Sequence, residues 1–227
     1  MFERLERLIG KDNLQKLNNR IIAIVGVGGV GGYVVETLIR NGIENIIIID
    51  KDVVDTTNKN RQIIADDTSI NKSKVDVFKK RILSINKDCN VICLNIFLNE
   101  DNKKELFKYD IDYLIDACDT VQTKIMLIRE CLNRNIKIIS SMGTGNKLDP
   151  KKLQITTLKK TSYDPLAKVI RHEINKLKIN DDIIVLSSSE ETIKTHTRAP
   201  GSYSVVPNTA GILIADYIIK DILKTED

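Results

Sequence analysis

Tryptophan is absent from the 227 residues, histidine occurs twice and cysteine four times. Cys89, Cys93, Cys118 and Cys131 include no CxxC pair, which argues against a disulfide scaffold or a zinc ribbon. His172 and His196 lack metal-ligand spacing. His172 reads as a surface residue, and His196, between Thr195 and Thr197, as a candidate proton shuttle. No apolar run approaches the ~20 residues that span a bilayer. The longest candidate, the C-terminal GILIADYIIKDIL, is broken by Asp216, Lys220 and Asp221. MFERLERLIG alternates charge with leucine and lacks the apolar region of a signal peptide. There is no internal repeat or low-complexity linker. These absences imply a reduced, cytoplasmic protein with no membrane partner. The missing tryptophan, beside abundant Ile, Lys and Asn, reads as background composition.

What is present suits one large domain with a core that needs no staples. The net charge is +4, and it is unevenly placed. Residues 151–198 hold ten basic and six acidic side chains, whereas the remainder balances at 25 against 25. A neutral body with one basic segment leaves room for a local anionic partner.

Periodicity gives an order of elements. Residues 2–18 read as a helical pair interrupted at Gly10. IIAIV (21–25) and IIIID (46–50) read as buried strands of a parallel sheet, and a strand within 90–98, DYLIDA (112–117) and IKIISS (136–141) read as the third, fourth and fifth. Helices over 33–42, 75–83 and 121–133 alternate with them. The fold class is therefore α/β, a doubly wound, mostly parallel Rossmann-like sheet with helices on both faces. Beyond it, LQITTL (153–158) and IIVL (183–186) read as strands, and 208–223 as a final helix. Asp164 and Pro165 begin a helix that places Leu166, Val169, Ile170, Ile174 and Leu177 on one side. This C-terminal α+β extension is expected to belong to the same domain. The parts are an N-terminal helical segment (1–20), a nucleotide-binding part (21–141) and a substrate-facing part (142–227).

Gly26, Gly28 and Gly31 form a G-x-G-x-x-G between a strand and a helix, with Gly29 and Gly32 added. Such a loop brings backbone N–H donors up to phosphates. Asp50, at the end of the second strand, is placed for ribose hydroxyls. A dehydrogenase is the first reading of this motif, but TTNKNRQ (56–62) turns it. Arg61 can clamp phosphate oxygens and Lys74 can add a point charge, which suits chemistry at phosphate better than hydride transfer. DACDT closes the fourth strand, and its carboxylates are candidate magnesium anchors. Asp119, beyond the strand, is the better placed; Asp116 can simply close it.

GVGGVG, Asp50, TNKNRQ, Lys74 and DACDT, in this order, resemble the ubiquitin-activating-enzyme-like family of ATP-dependent adenylating enzymes. The resemblance implies ATP and Mg2+ as cofactors, held by Gly26, Gly28, Gly29, Gly31, Asp50, Asn58, Arg61, Gln62, Lys74, Asp119 and Thr120, with Asp119 as the metal residue. Arg61, Lys74 and Asp119 would be catalytic, as would Arg4, which matches an N-terminal arginine that reaches into a partner subunit's site. A homodimer is thereby implied. No cysteine follows Cys131, so the zinc clamp of the sulfur-carrier adenylyltransferases is missing. Cys118 and Cys131 read as core residues, not thioester nucleophiles.

MGTGNKLDP (142–150), LKKTSYDPLAKVIR (158–171), SSSEE (187–191) and PGSYSVVPNTAG (200–211) resemble one branch, the tRNA threonylcarbamoyladenosine dehydratases. That branch implies ATP activation of a threonyl carboxylate on tRNA, as an acyl-adenylate, followed by intramolecular ring closure. An internal nucleophile needs no enzyme thiol, and proximity can contribute roughly 7–11 kcal/mol. Lys151, Lys152, Lys159, Lys160, Lys168 and Arg171 are the candidate tRNA-binding cations. Tyr163 reads as a core aromatic, with stacking on a base as its other reading. A sulfur-transfer protein partner is implied for some relatives. Two rival readings stay open here: an adenylyltransferase for the C-terminal glycine of a ubiquitin-like carrier, and a non-catalytic nucleotide-binding scaffold.

Overall fold

The computed structural model describes residues 1–196 and 199–224. The chain opens with α1 (Glu3–Ile9) and α2 (Lys11–Asn18), separated by Gly10, then β1 (Ile21–Val25) and α3 (Gly31–Arg40). There follow β2 (Asn45–Ile49), α4 (Lys74–Ile85), β3 (Asn90–Leu94), the short α5 (Lys104–Phe107) and β4 (Tyr113–Asp116). The second half holds α6 (Val121–Arg134), β5 (Lys137–Ser141), β6 (Leu153–Thr157), α7 (Pro165–Lys176), β7 (Ile184–Ser188) and α8 (Val205–Lys224). All seven strands join one sheet in the order β3-β2-β1-β4-β5-β7-β6. Only the edge strand β6 is antiparallel, to β7. This is the doubly wound α/β sheet expected, and the C-terminal strands extend it instead of building a second one. No helix of the described residues is long and apolar enough to cross a membrane.

Alternation along the central strands explains the layering. Ile22 and Ile24 join Ile46, Ile48 and Ile115 in a core that α3 and α8 cover with Val34, Leu38, Ala210 and Ile214. The intervening Ala23 and Val25 face the opposite side with Ile47, Ile49 and Leu114, under Met126, Leu127 and Cys131 of α6. A β-branched run is suited to both environments, and each such side chain fully buried contributes roughly 1.5–3 kcal/mol. α3 ends where Gly42 takes φ +90° and Ile43 N–H donates to Leu38 O, a left-handed stop.

Three local expectations are corrected. On α7 the buried stripe is Ala167, Ile170 and Ile174; Val169 and Leu177 are each 46% exposed. Ala167, Ile170 and Ile174 pack with Ile128 of α6, and Val169 and Leu177 lie to the side of that contact. Tyr163 is not a core residue: it is 58% exposed, at φ +52°. That backbone costs an L-residue about 1–2 kcal/mol and turns the ring outward. Finally, α3 begins at Gly31 and not at Tyr33, so two motif glycines form its first turn.

Asp116 does more than close β4. It and Lys124 of α6 form an ion pair whose side chains are both 0% exposed. Lys124 Nζ also donates to Ser141 O at 2.8 Å and reaches Ser140 Oγ at 3.3 Å, while Ser140 Oγ and the Cys118 thiol donate to Asp116. Removing one partner of such a pair strands the other in the core, at a cost of about 3–5 kcal/mol. Lys124→Met is therefore expected to lower the urea unfolding free energy by that amount, and Lys124→Met with Asp116→Leu to recover more than half of it. A single variant within about 1 kcal/mol of the wild type would contradict the role assigned to this pair.

Candidate functional site

The cleft lies where the strand order reverses, between the C-terminal ends of β1 and β4, the crevice in which doubly wound sheets bind ligands. Its volume is about 470 Å³, and its lining includes Gly26, Gly28, Gly29, Asp50, Asn58, Arg61, Gln62, Lys74, Asp119 and Thr120. All ten were expected at a nucleotide site. The eleventh, Gly31, lies beneath the loop and shapes it: a Cβ there would stand 1.9 Å from Gly26 O. Gly26 itself has φ +87°, and a Cβ on it would meet Ala117 O at 2.8 Å. These two positions admit no side chain, so the loop folds flat against the end of β4 and leads its N–H groups into the first turn of α3. Within that turn Gly32 N–H already donates to Gly28 O and Tyr33 N–H to Val30 O, so what it offers an anion is chiefly the positive end of the helix dipole.

Asp50 holds this loop in register. Its Oδ2 accepts from Val27 N–H and its Oδ1 from Asp52 N–H, each at 2.9 Å. A carboxylate has about four acceptor positions, so ribose hydroxyls can still bind.

The polar crossover after β2 is a built turn. Asp55 accepts from Thr57 N–H at 2.8 Å while Asn58 Oδ1 accepts from Asp55 N–H at 3.1 Å, a reciprocal cap around Thr56–Asn58. Asn58 is buried, and its carbonyl accepts from the N–H of both Arg61 and Gln62. The Arg61 guanidinium is braced through Nη1 on Thr57 O and Asn60 Oδ1, and its other nitrogens have no partner among the described residues. Gln62 is buried with its Oε1 unpaired, an acceptor left at the cleft wall. Lys74, only 7% exposed at its side chain, bonds Asp52 Oδ2 at 3.0 Å. Asp52 is half exposed, so a phosphate in the cleft would compete with it for this ammonium.

On the opposite wall the two DACDT carboxylates part. Asp116 is held in the core, whereas Asp119 is exposed on the cleft, with Thr120 Oγ1 donating to it at 3.4 Å. Among the described residues no three His, Cys, Asp or Glu side chains gather. A divalent ion here would rely on Asp119 together with phosphate oxygens and water, coordination that suits magnesium. Burial pushes the Cys118 and Cys131 thiols well above the ordinary thiol range, and raises Cys89 to about 12. None is a ready thiolate nucleophile.

Sequence reasoning missed Lys51 and Phe97, which also line the cleft, the ammonium 4.7 Å from the ring centroid. The strand expected within 90–98 is β3, which stops at Leu94 and leaves Phe97 in a loop, 44% exposed. Arg4 is exposed on α1 and is not part of this chain's cleft lining. His196 is exposed, and Thr197 lies outside the described residues.

The six candidate tRNA-binding cations divide. Lys151, Lys152, Lys160 and Lys168 are exposed and unpaired among the described residues. Lys159 bonds Asn180 O and Asp182. Arg171 turns inward, its Nη1 donating to Leu158 O, Thr161 O and Thr161 Oγ1.

Comparison with known proteins agrees with this geometry. The chain is 40% identical over 240 residues to a tRNA threonylcarbamoyladenosine dehydratase of Bacillus subtilis, covering 98% of this chain and 94% of that relative. It superposes on E. coli tRNA N6-threonylcarbamoyladenosine dehydratase, TcdA, in complex with ATP with a TM-score of 0.92, at 32% identity, over 98% of this chain and 93% of that one. The AMP complex of the same E. coli protein gives a TM-score of 0.91 at 32% identity, over 96% and 92% of the two chains. The model of the ThiF family matches residues 2–226, and the chain belongs to that family.

Proposed function

We propose that this protein is an ATP-dependent tRNA threonylcarbamoyladenosine dehydratase, which converts the modified adenosine next to the anticodon into its cyclic form. The observation that carries the reading is a cleft lined by a glycine loop and the cations Lys51, Arg61 and Lys74, whose one lining thiol, Cys118, is turned to donate to Asp116. The near full-length likeness to proteins named for this reaction supports it.

The residues divide the work. The glycine loop, set at the positive end of α3, binds phosphate oxygens through its N–H groups, and Asp50 orients the ribose. The substrate's carboxylate oxygen attacks the α-phosphorus, pyrophosphate departs, and an acyl-adenylate remains. Arg61 and Lys74 offset the charge that grows on the phosphate oxygens, an effect worth 10²–10³-fold per donor in comparable sites. Magnesium, held by Asp119, would shield the same oxygens. A nucleophile within the same substrate then closes the ring and AMP leaves with the carboxylate oxygen. A carrier-protein adenylyltransferase would share the first step, but nothing in the C-terminal half supplies the cysteines its zinc clamp needs.

A homodimer completes the reading. α1 has no buried residue and leaves Leu8 82% exposed, which supports a second copy covering it and receiving Arg4. The cytoplasm is the compartment that suits four free cysteines and a tRNA substrate. A sulfur-transfer partner rests on the family resemblance alone.

Incubation with ATP, magnesium and tRNA carrying threonylcarbamoyladenosine, followed by digestion and mass spectrometry, should yield a nucleoside lighter by one water. Adenylation of a ubiquitin-like carrier with no such nucleoside would refute the assignment. Arg61→Ala and Lys74→Ala should each lower kcat by about 10²–10³-fold without changing the unfolding midpoint. A scaffold protein would show no turnover to lose. Charge reversal at Lys151, Lys152, Lys160 and Lys168 should raise KM for tRNA, steeply with salt, and leave KM for ATP unchanged. An equal rise in both would place the tRNA surface elsewhere.

A further inference from the structure

Among the described residues five non-glycine residues have positive φ, and three are asparagines, which tolerate that region. Tyr163 is the only aromatic among them. Its conformation is imposed from both sides. Before it, Thr161 Oγ1 donates to Leu158 O and accepts from Arg171. After it, the buried Asp164 caps α7 by accepting from Ala167 N–H at 3.0 Å, and accepts from Gly143 N–H at 2.9 Å. The Tyr163 carbonyl accepts from Thr192 Oγ1 at 3.1 Å. A glycine or asparagine would meet these constraints without strain. The ring that occupies the position instead is 58% exposed.

Its place in the fold connects it to the reaction. Asp116 and Ser140 are register partners, so β5 emerges beside the DACDT loop that carries Asp119. Two residues beyond β5, Gly143 is bonded to Asp164, next to Tyr163. The ring thus stands on the C-terminal rim of the sheet, the same rim as the nucleotide cleft. Lys160 and Lys168, exposed and unpaired among the described residues, bracket it in sequence. An exposed aromatic ring in a segment that also carries exposed cations is a combination that holds single-stranded nucleic acid: cations track phosphates and a ring stacks on a base.

We infer that Tyr163 is a base-stacking residue that seats an unpaired nucleobase of the tRNA loop beside the cleft, and so positions the reacting nucleoside. The inference rests on the proposed dehydratase reading and adds a recognition element to it. The role is one of positioning: Tyr163 touches the polynucleotide and takes no part in proton or acyl transfer.

The absence of tryptophan makes a direct test available. Tyr163→Trp gives the chain a single indole, whose fluorescence should be quenched on titration with tRNA but not with ATP or inorganic polyphosphate. Quenching by polyphosphate to the same extent would overturn stacking. Tyr163→Gly should raise the thermal midpoint, because the strain is relieved, yet raise KM for tRNA about 5- to 150-fold, the equivalent of ~1–3 kcal/mol per stacked base. KM for ATP and kcat at saturating tRNA should stay at wild-type values, and Tyr163→Phe should behave as wild type. An unchanged KM for tRNA in the glycine variant, with active wild-type enzyme, overturns the stacking role alone. Failure of the wild-type chain to convert tRNA overturns the parent reading instead.

Discussion

The ammonium of Lys124 lies under the carboxylate of Asp116 with no solvent access, and the rim of the sheet is arranged around that contact. It ties α6 to the ends of β4 and β5 at once, because Lys124 also donates to Ser141 O. With β4 fixed, Ala117 receives the glycine loop, whose Gly26 cannot carry a side chain there. The loop is in turn tied to Asp50 through Val27 N–H. Both walls of the cleft, with the phosphate donors on one side and Asp119 on the other, are therefore referred to a single buried pair. A hydrophobic substitute could fill the same volume, but it could not satisfy Ser140, Ser141 and the backbone of the DACDT loop together.

The cleft handles negative charge sparingly. It has backbone N–H groups and three cations, Arg61 braced on Thr57 O, Lys74 paired with Asp52 and Lys51 beside Phe97, in a body whose formal charges otherwise balance. The excess positive charge lies in the C-terminal half, where an extended polyanion would be held. On the proposed reading, this separation would let ATP and tRNA be bound by different surfaces that meet at one rim. It also explains why no protein nucleophile is required: the acyl group and the atom that displaces AMP arrive on the same substrate.

Most of the sheet was legible in the sequence, because strands buried on both faces read as near-continuous apolar runs rich in β-branched residues, as in IIAIV and IIIID. The nucleotide wall was equally legible, since glycine spacing and the TTNKNRQ turn are local features. What escaped depends on tertiary direction. Lys124 sits on an amphipathic helix, where a lysine ordinarily faces water, and only the placement of Asp116 draws it inward. Arg171 counted as a surface charge until its guanidinium proved to cap the turn at 158–161. Tyr163, beside an Asp-Pro helix start, looked like core because aromatic residues usually are; a left-handed backbone reversed it. The apolar stripe of α7 was misjudged as well, since Ala167, Ile170 and Ile174 make the contact with α6 and Val169 and Leu177 lie to its side.

Oxygen transfer tests the account most directly. If the threonyl carboxylate attacks the α-phosphorus and later leaves as part of AMP, a carboxylate labelled with heavy oxygen must deliver one labelled atom to the AMP phosphate for each ring closed. Mass spectrometry of the nucleotide product after a single turnover should find that label in AMP, with pyrophosphate unlabelled. Label recovered in inorganic phosphate with ADP as the nucleotide product, or in neither nucleotide nor phosphate, would contradict adenylation as the activating step.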